Sequence, residues 1–297
     1  MTEVEKSPAE TAYDGIIPTG WLTAYGRTFS DIPYAQEMFE ELEAVRQQSS
    51  DAGILEEMKD TKLGPHFEAR HKLLNKLIRQ TGINQVIEIA AGLSTRGLEL
   101  SADPEIDYVE VDLPAMMADK RKIIDSLEKK KVIEARSNLR MQDGNALDLG
   151  DLERAAAGFD PGRPIVVANE GLLRYLSFPE KEQYVRNVQS LLSKFGGVWI
   201  TADISLPKVV YKEDDVMTVR RQRLTEITGK DITNNLFKDE DDAKKFFEGL
   251  GFDVESHSFL EVTDELTSPQ KLGYPADYVA ATNGSAVVFV MKPKKGA

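Results

Sequence analysis

The chain has 297 residues, 41% of them hydrophobic, with a formal net charge of −13, no cysteine and three histidines. Such a length and apolar content fit one large globular α/β domain with additions. The acidic balance argues against a nucleic-acid partner, which needs clustered Lys and Arg, and the lack of cysteine removes disulfides, thiolate nucleophiles and zinc–thiolate sites. His66 and His71 are five apart, on different faces of a helix, and His257 is remote in sequence, so no metal site is expected. The amino terminus is charged and no run of 18 apolar residues occurs. A cytoplasmic protein with no membrane partner is the expectation.

The first 80 or so residues read as helical, with Tyr34 to Gln48 and Pro65 to Thr81 the clearest segments. In the second, Ala69, Leu73, Leu74, Leu77 and Ile78 share a face, and Gly82 stands where a left-handed cap belongs. Strands and helices then alternate. Gln85 to Ala90 reads as strand, Ser94 to Leu100 as helix, Ile106 to Asp112 as strand, Pro114 to Lys130 as helix, with a weak strand near Val132 or Leu139. Arg163 to Asn169 is a buried strand. Ser177-Phe-Pro-Glu180 opens the next helix with a capping box and an early proline, and Gly196-Gly197 stops it before a strand from Val198 to Ile204. Residues 205 to 237 read as an inserted cap. A helix from Asp239 to Leu250, a strand from Phe252 to Leu260, a loop and a last strand from Ala286 to Met291 follow. Acidic runs such as Glu213-Asp-Asp215 and Lys238-Asp-Glu-Asp-Asp242 read as solvated surface.

This alternation implies an α/β fold: a Rossmann-like, doubly wound, mostly parallel seven-stranded sheet with an antiparallel last strand. An N-terminal helical cap over residues 1–82 precedes a main domain over 83–297. The loop from Glu261 to Gly284 and the segment 205–237 are where acceptor specificity is expected.

Val86-Ile-Glu-Ile-Ala-Ala-Gly-Leu-Ser-Thr-Arg-Gly97, followed by Tyr108-Val-Glu-Val-Asp112, carries the chemistry. A short apolar run ends in a small-residue turn, and about 20 residues on a second run ends in a carboxylate, as in nucleoside-binding α/β proteins. A dinucleotide site wants three glycines, and Ala90, Gly92 and Thr95 would stand at those places. Two of the three fail, which disfavours pyrophosphate and a nicotinamide dehydrogenase. S-adenosylmethionine carries no phosphate, so small residues at Ala90, Ala91 and Gly92 suffice. Val86 to Gly97 then forms one wall of the site, with Glu88, Ala90 and Gly92 as candidate cofactor contacts.

Ligands on such sheets bind just past the strand ends. Glu110 and Asp112 lie on the same side of their strand, so either could accept from the ribose hydroxyls; Asp112, which ends the run, is preferred. Asn145 and Ala146 follow the third strand. Asn145 reads equally as an adenine contact or an ordinary turn residue. Glu170 follows Ile165-Val-Val-Ala168, where a buried carboxylate is costly unless paired. A ligand ammonium would pair it, and so would a structural ion pair with Arg174 or another base.

These three stretches, the third being Ala168-Asn-Glu-Gly-Leu-Leu-Arg-Tyr-Leu176, resemble the leucine carboxyl methyltransferase family, including its bacterial branch similar to tetracenomycin-type polyketide O-methyltransferases. Thr23-Ala-Tyr-Gly-Arg27 and Phe67-Glu-Ala-Arg70 look like the family's helical cap. The resemblance implies S-adenosylmethionine as cofactor, with Arg70 on its methionine carboxylate, Asp112 on the ribose, Asn145 near adenine and Glu170 facing the amino group. Two departures stand out: Ala90 replaces the usual glycine, tolerable while its φ stays negative, and Ser94 replaces the usual Asp but can still cap the next helix. Arg27 echoes a carboxylate contact in cofactor or substrate, although an arginine in an amino-terminal segment is usually a surface residue. Tyr25 and Tyr175 are candidate acceptor-side residues.

The implied activity is O-methylation of a small-molecule carboxylate or hydroxyl, by in-line displacement without a metal. No catalytic base is identified; His66 would serve only if the cap folds over the site. The alternatives are a catalytically silent S-adenosylmethionine-binding protein and a protein C-terminal carboxyl methyltransferase.

Overall fold

The short β-branched runs that alternate with amphipathic helices all pair into one sheet. A computed structural model of the chain describes residues 17–46, 59–204 and 235–294. The expected inserted cap lies outside the described residues up to residue 234, as do the first acidic run and residues 1–16 of the expected N-terminal cap. In chain order come α1 (Ile17–Arg27), α2 (Ala35–Arg46), α3 (Gly64–Gln80), β1 (Gln85–Ile89), α4 (Arg96–Leu100), β2 (Asp107–Asp112), α5 (Pro114–Lys129) and β3 (Leu139–Asp143). Then follow α6 (Leu149–Ala156), β4 (Ile165–Asn169), α7 (Phe178–Phe195), β5 (Gly197–Thr201), α8 (Glu240–Gly249), β6 (Phe252–Ser258), α9 (Ser268–Leu272), α10 (Ala276–Asn283) and β7 (Val287–Pro293).

The strand order is β3-β2-β1-β4-β5-β7-β6. β1 to β5 pair in parallel, while β7 runs antiparallel to both neighbours, inserted between β5 and β6. Because β1 pairs with both β2 and β4, the order reverses there, which opens a crevice at the carboxyl ends of β1 and β4. Strand alternation sorts side chains between two cores. Ile87, Val109, Val167 and Trp199 pack with Leu152, Tyr184, Leu191 and Phe247 from α6 to α8. Val86, Tyr108, Val166 and Ile200 pack with Leu73, Leu74 and Leu77 of α3. A third cluster joins Trp21, Met38, Phe39 and Leu42 of α1 and α2 to Leu93 in the turn after β1 and to Met116 and Ile123 of α5.

The expected capping box at Ser177 and Glu180 is present, as is the left-handed Gly82 at φ +66. Other expectations give way. The helix expected from Ser94 begins at Arg96; Thr95 is its cap residue without a cap hydrogen bond, and Ser94 Oγ instead accepts from the Arg96 N–H at 3.2 Å. The weak strand falls at Leu139–Asp143 rather than Val132, and α6 is an addition, capped by Asp148 accepting from the Asp151 N–H. The loop expected over 261–284 is largely a 3₁₀ turn (Phe259–Glu265), α9 and α10.

Candidate active site

The turn after β1 is tighter than expected. Ala90 lies at φ +57 and Gly92 at φ +48, so the alanine does not keep a negative φ. Hydrogen bonds impose this: Ala91 N–H donates to the Val111 carbonyl at 3.1 Å, and Gly92 N–H donates to Asp112 Oδ2 at 2.7 Å. A left-handed alanine costs about 1 kcal/mol, held here by the surrounding bonds.

Asp112 ends β2 at the crevice. Its Oδ1 accepts from the Leu113 N–H at 2.7 Å, so each carboxylate oxygen holds one backbone amide. Burial raises its carboxyl, and these two N–H groups oppose the rise. Glu110, the alternative, points into the protein. It is 1% exposed, lies beneath α4 where a Cβ on Gly97 would collide with its carboxylate, and pairs with Lys120 Nζ at 2.8 Å. Burial pushes the Glu110 carboxyl up to about 7 against that lysine.

After β3, Asn145 Oδ1 accepts from the Leu147 N–H at 2.9 Å, closing its own turn. The Ala146 carbonyl takes Asn187 Nδ2 at 2.9 Å. Together they shape a small-residue rim.

The centre of the site is Glu170, directly after β4. Arg27 from α1 hydrogen-bonds Oε1, Arg70 Nε from α3 stands 2.8 Å from the same oxygen, and Arg96 Nη2 from α4 donates to Oε2 at 2.6 Å. Burial alone would raise this carboxyl, but Arg27, Arg70 and Arg96 hold it well below the usual range. Arg27, in a segment where an arginine is usually on the surface, is 4% exposed, and burial beside Arg70 and Arg96 pulls its guanidinium down to about 10. Gly26 brings it in: a Cβ there would run into the Phe67 ring, so α1 lies flush on α3. The Nε atoms of Arg27 and Arg70 are buried and have no hydrogen-bond partner among the described residues.

Arg96 went unflagged by the sequence. It is fully buried, bonded through Nη1 to Glu88 and through Nε to Asn75 Oδ1 at 2.6 Å. Glu88 also takes the Tyr108 hydroxyl at 2.8 Å; at 0% exposure it supports Arg96 rather than facing the crevice. Asn75 and His71 in turn bond Glu99 at 2.7 and 3.0 Å. Burial pulls the His71 imidazole down to about 4.

Asp203, two residues past β5, is a second unflagged group. It is 5% exposed and accepts from the Leu173 N–H, so it anchors the loop carrying Glu170, Arg174 and Tyr175. Burial raises its carboxyl to about 6, with Arg174 opposing. The rule that found Asp112 and Glu170, an acid just past a buried strand, finds Asp203 too once β5 ends at Thr201. The alternative ion pair on Glu170 is formed, by Arg27, Arg70 and Arg96 rather than by Arg174, whose Nε is buried without a partner among the described residues. His66 sits one turn before Arg70, with Nδ1 3.3 Å from Asn283 Oδ1 and its ring against Phe259. Burial and Arg70 pull it down to about 3, so it is neutral at ordinary pH. Tyr175 is buried in a 3₁₀ turn, Leu173–Tyr175, whereas Tyr25 stacks on Trp21 at 5.9 Å within the α1–α2 aromatic cluster.

A doubly wound sheet with a small-residue turn at its switch point, an acid ending the next strand and an arginine-ringed carboxylate is the architecture of a Rossmann-like methyltransferase domain. The model of the leucine carboxyl methyltransferase family matches residues 29–189, more than half of the chain. The chain belongs to that family. A Mycobacteroides abscessus protein described as a candidate S-adenosyl-L-methionine-dependent methyltransferase is 28% identical over 222 residues, covering 71% of this chain and 67% of the relative. One from Mycobacterium marinum, described in the same words, is 26% identical over 247 residues, covering 77% and 72%. In three Mycobacterium sp. relatives the match spans 44% of this chain and only 42% of theirs. Among solved structures, a DUF574-family protein from Streptomyces avermitilis superposes with a TM-score of 0.55 at 14% identity over 93% of this chain and 97% of that one. A candidate methyltransferase from Thermobifida fusca gives 0.50 at 17% identity, covering 78% and 83%. These likenesses concern the fold. No helix among the described residues is long and apolar enough to cross a membrane.

Proposed function

We propose that the chain is an S-adenosyl-L-methionine-dependent O-methyltransferase acting on a carboxylate or hydroxyl of a small molecule. The family and the names of its relatives support methyl transfer from that donor. One observation carries the reading of the site: three guanidiniums face two carboxylates in a buried cluster, one cation in excess, and the Nε donor of Arg27 is left over. Such a cluster complements an α-amino acid end, with its carboxylate on Arg27 and Arg70 and its ammonium on Glu170. Asp112, whose oxygens each keep lone pairs beyond the amide they hold, takes the ribose hydroxyls. Ala90, Ala91 and Gly92 leave room for the nucleoside, and Asn145 and Ala146 flank the adenine.

The bound sulfonium supplies an electrophilic methyl group. The residues of this chain then align an acceptor oxygen behind it and exclude water. A carboxylate is already ionised at neutral pH and needs no base, whereas a hydroxyl must give up a proton. Asp203, Arg174, His66 and Tyr175 border the acceptor side. The carboxyl of Asp203, near 6, can hold such a proton at Oδ1, and Arg174 favours a negative oxygen. Calorimetric titration with S-adenosylmethionine, followed by transfer assays on carboxylic and phenolic acceptors read by mass spectrometry, tests the proposal. Methyl ester or ether formation supports it, and binding without turnover across both acceptor classes favours the silent binding protein instead.

A further inference from the structure

The three arginines around Glu170 differ in how their N–H groups are used. Every guanidinium nitrogen of Arg96 is engaged by protein: Nε on Asn75 Oδ1 at 2.6 Å, Nη1 on Glu88 with Ser94 Oγ at 3.4 Å, and Nη2 on Glu170 Oε2 at 2.6 Å. It is 0% exposed. Arg27 and Arg70 both gather on the other oxygen, Oε1; the Arg27 Nε is buried without a partner among the described residues, and the Arg70 Nε, 2.8 Å from Oε1, is ion-paired there without making a hydrogen bond. The two oxygens of one carboxylate therefore face different kinds of partner, Oε2 a guanidinium with every nitrogen engaged by protein and Oε1 two guanidiniums that are less fully engaged.

We propose that Arg96 is a positioning residue that holds Glu170 Oε2 permanently, while Arg27 and Arg70 exchange from Oε1 onto the carboxylate of the cofactor's amino acid end. This rests on the reading of Glu170 as the ammonium partner. The exchange leaves the net charge of the cluster unchanged, because the amino acid end brings one carboxylate and one ammonium. Before binding, Glu170 Oε1 is the shared counter-charge of Arg27 and Arg70; after it, the ligand carboxylate faces Arg27 and Arg70, and the ligand ammonium takes their place at Oε1. Without Arg96, Glu170 would be free to follow Arg27 and Arg70 toward the ligand carboxylate, or to turn away. A guanidinium held by acceptors on all three nitrogens has little freedom to turn, which fixes the rotamer of the carboxylate it holds. The scaffold behind it reaches from Asn75 and His71 on α3 to Glu99 on α4, and from Glu88 on β1 to Tyr108 on β2. Acceptors from α3, β1 and the residue after β4 thus converge on one guanidinium, more than a charge pair alone requires.

The test compares two ligands by calorimetry on the full chain. S-adenosylhomocysteine carries the amino acid end, and 5′-methylthioadenosine lacks it but keeps the adenosine. Wild type is expected to prefer the first, and Arg96→Met to lose at least tenfold of that preference while its affinity for methylthioadenosine stays within about threefold. Arg96→Lys is expected to recover part of the preference. A merely structural role would lower both affinities together, and that result, or an unchanged preference, overturns the proposal. Because Arg96→Met leaves Glu88 buried without its cation and can fail to fold, Asn75→Ala is the second variant: it frees one strut and keeps the charge. Its preference is expected to fall severalfold, and an unchanged ratio in a folded Asn75→Ala protein overturns the inference. Failure of wild type to bind either ligand removes the function reading itself, a result distinct from a variant that behaves like wild type.

Discussion

Arg96 Nη2 lies 2.6 Å from Glu170 Oε2, tying the start of the helix after β1 to the residue that leaves β4. The two elements border the crevice where the strand order reverses. Their link makes the crevice a fixed charged surface rather than a gap between loops. Arg27 and Arg70 approach the same carboxylate from α1 and α3, so the amino-terminal helices complete a site that the sheet begins.

Glu170→Gln keeps the shape of the side chain and removes its charge. Affinity for S-adenosylhomocysteine is expected to fall by roughly 1.5 to 3 kcal/mol, the range for a charge-assisted hydrogen bond, with methylthioadenosine hardly affected. Thermal stability is expected to drop as well, because three buried guanidiniums lose a shared counter-charge. Calorimetry with both ligands and a melting curve check the two effects separately.

Asp112→Ala acts on the other end of the ligand. It removes the acceptor for the Gly92 and Leu113 amides along with the proposed ribose contact. Both ligands contain the ribose, so both affinities should fall together by roughly 1.5 to 3 kcal/mol. A loss confined to S-adenosylhomocysteine would place Asp112 elsewhere.

Gly26→Ala tests how the cap delivers Arg27. The added methyl meets the Phe67 ring, and the overpacking should cost on the order of 1 to 3 kcal/mol of stability. Displacing α1 carries Arg27 away from Glu170, so preference for the amino acid end should weaken alongside. Melting curves and the ligand comparison read both consequences.

Ala90→Gly runs the opposite way. Glycine relieves the left-handed strain of about 1 kcal/mol at φ +57, and its greater freedom in the unfolded chain gives back part of that gain. The expected outcome is a melting temperature unchanged or raised by up to about 4 °C. A clear drop would mean that the alanine methyl is packed productively in the turn.

Two buried groups give opposite pH slopes. Glu110 is raised to about 7 from 4.5, so its favourable protonated form contributes fully below about 4.5 and is lost as pH rises through about 7. Glu110→Gln should therefore gain stability relative to wild type between pH 5 and pH 8, by on the order of 3 kcal/mol. His71 is lowered to about 4 from 6.5, so its contribution is complete above 6.5 and is lost as pH falls toward 4. Denaturant titrations at pH 5, 6.5 and 8 on wild type, Glu110→Gln and His71→Asn separate the slopes.

Most of the sheet was legible because β1, β2, β4, β5 and β7 are short, largely apolar runs bounded by turn residues, and Asp112 and Glu170 stood out as acids at the ends of such runs. Asp203 escaped notice because the apolar stretch reads on to Ile204, which absorbs the acid into an expected strand that in fact ends at Thr201. Arg96 escaped for another reason. Its partner Glu88 lies eight residues back across a turn, a separation with no periodic signature, and only the tight turn at Ala90 brings the two together. The helices α9 and α10 were hidden by Pro269, Gly273 and Pro275, which punctuate loops and also begin and end short helices. For Arg27, sequence could weigh surface against site but could not know that Gly26 seats α1 on Phe67.

The most direct test of the central claim is calorimetric titration of the wild-type chain with S-adenosyl-L-methionine, repeated on Asp112→Ala and Glu170→Gln. The account predicts one saturable site in wild type and affinities at least tenfold weaker in each variant. Absence of binding to wild type, or equal affinity in all three proteins, would contradict it.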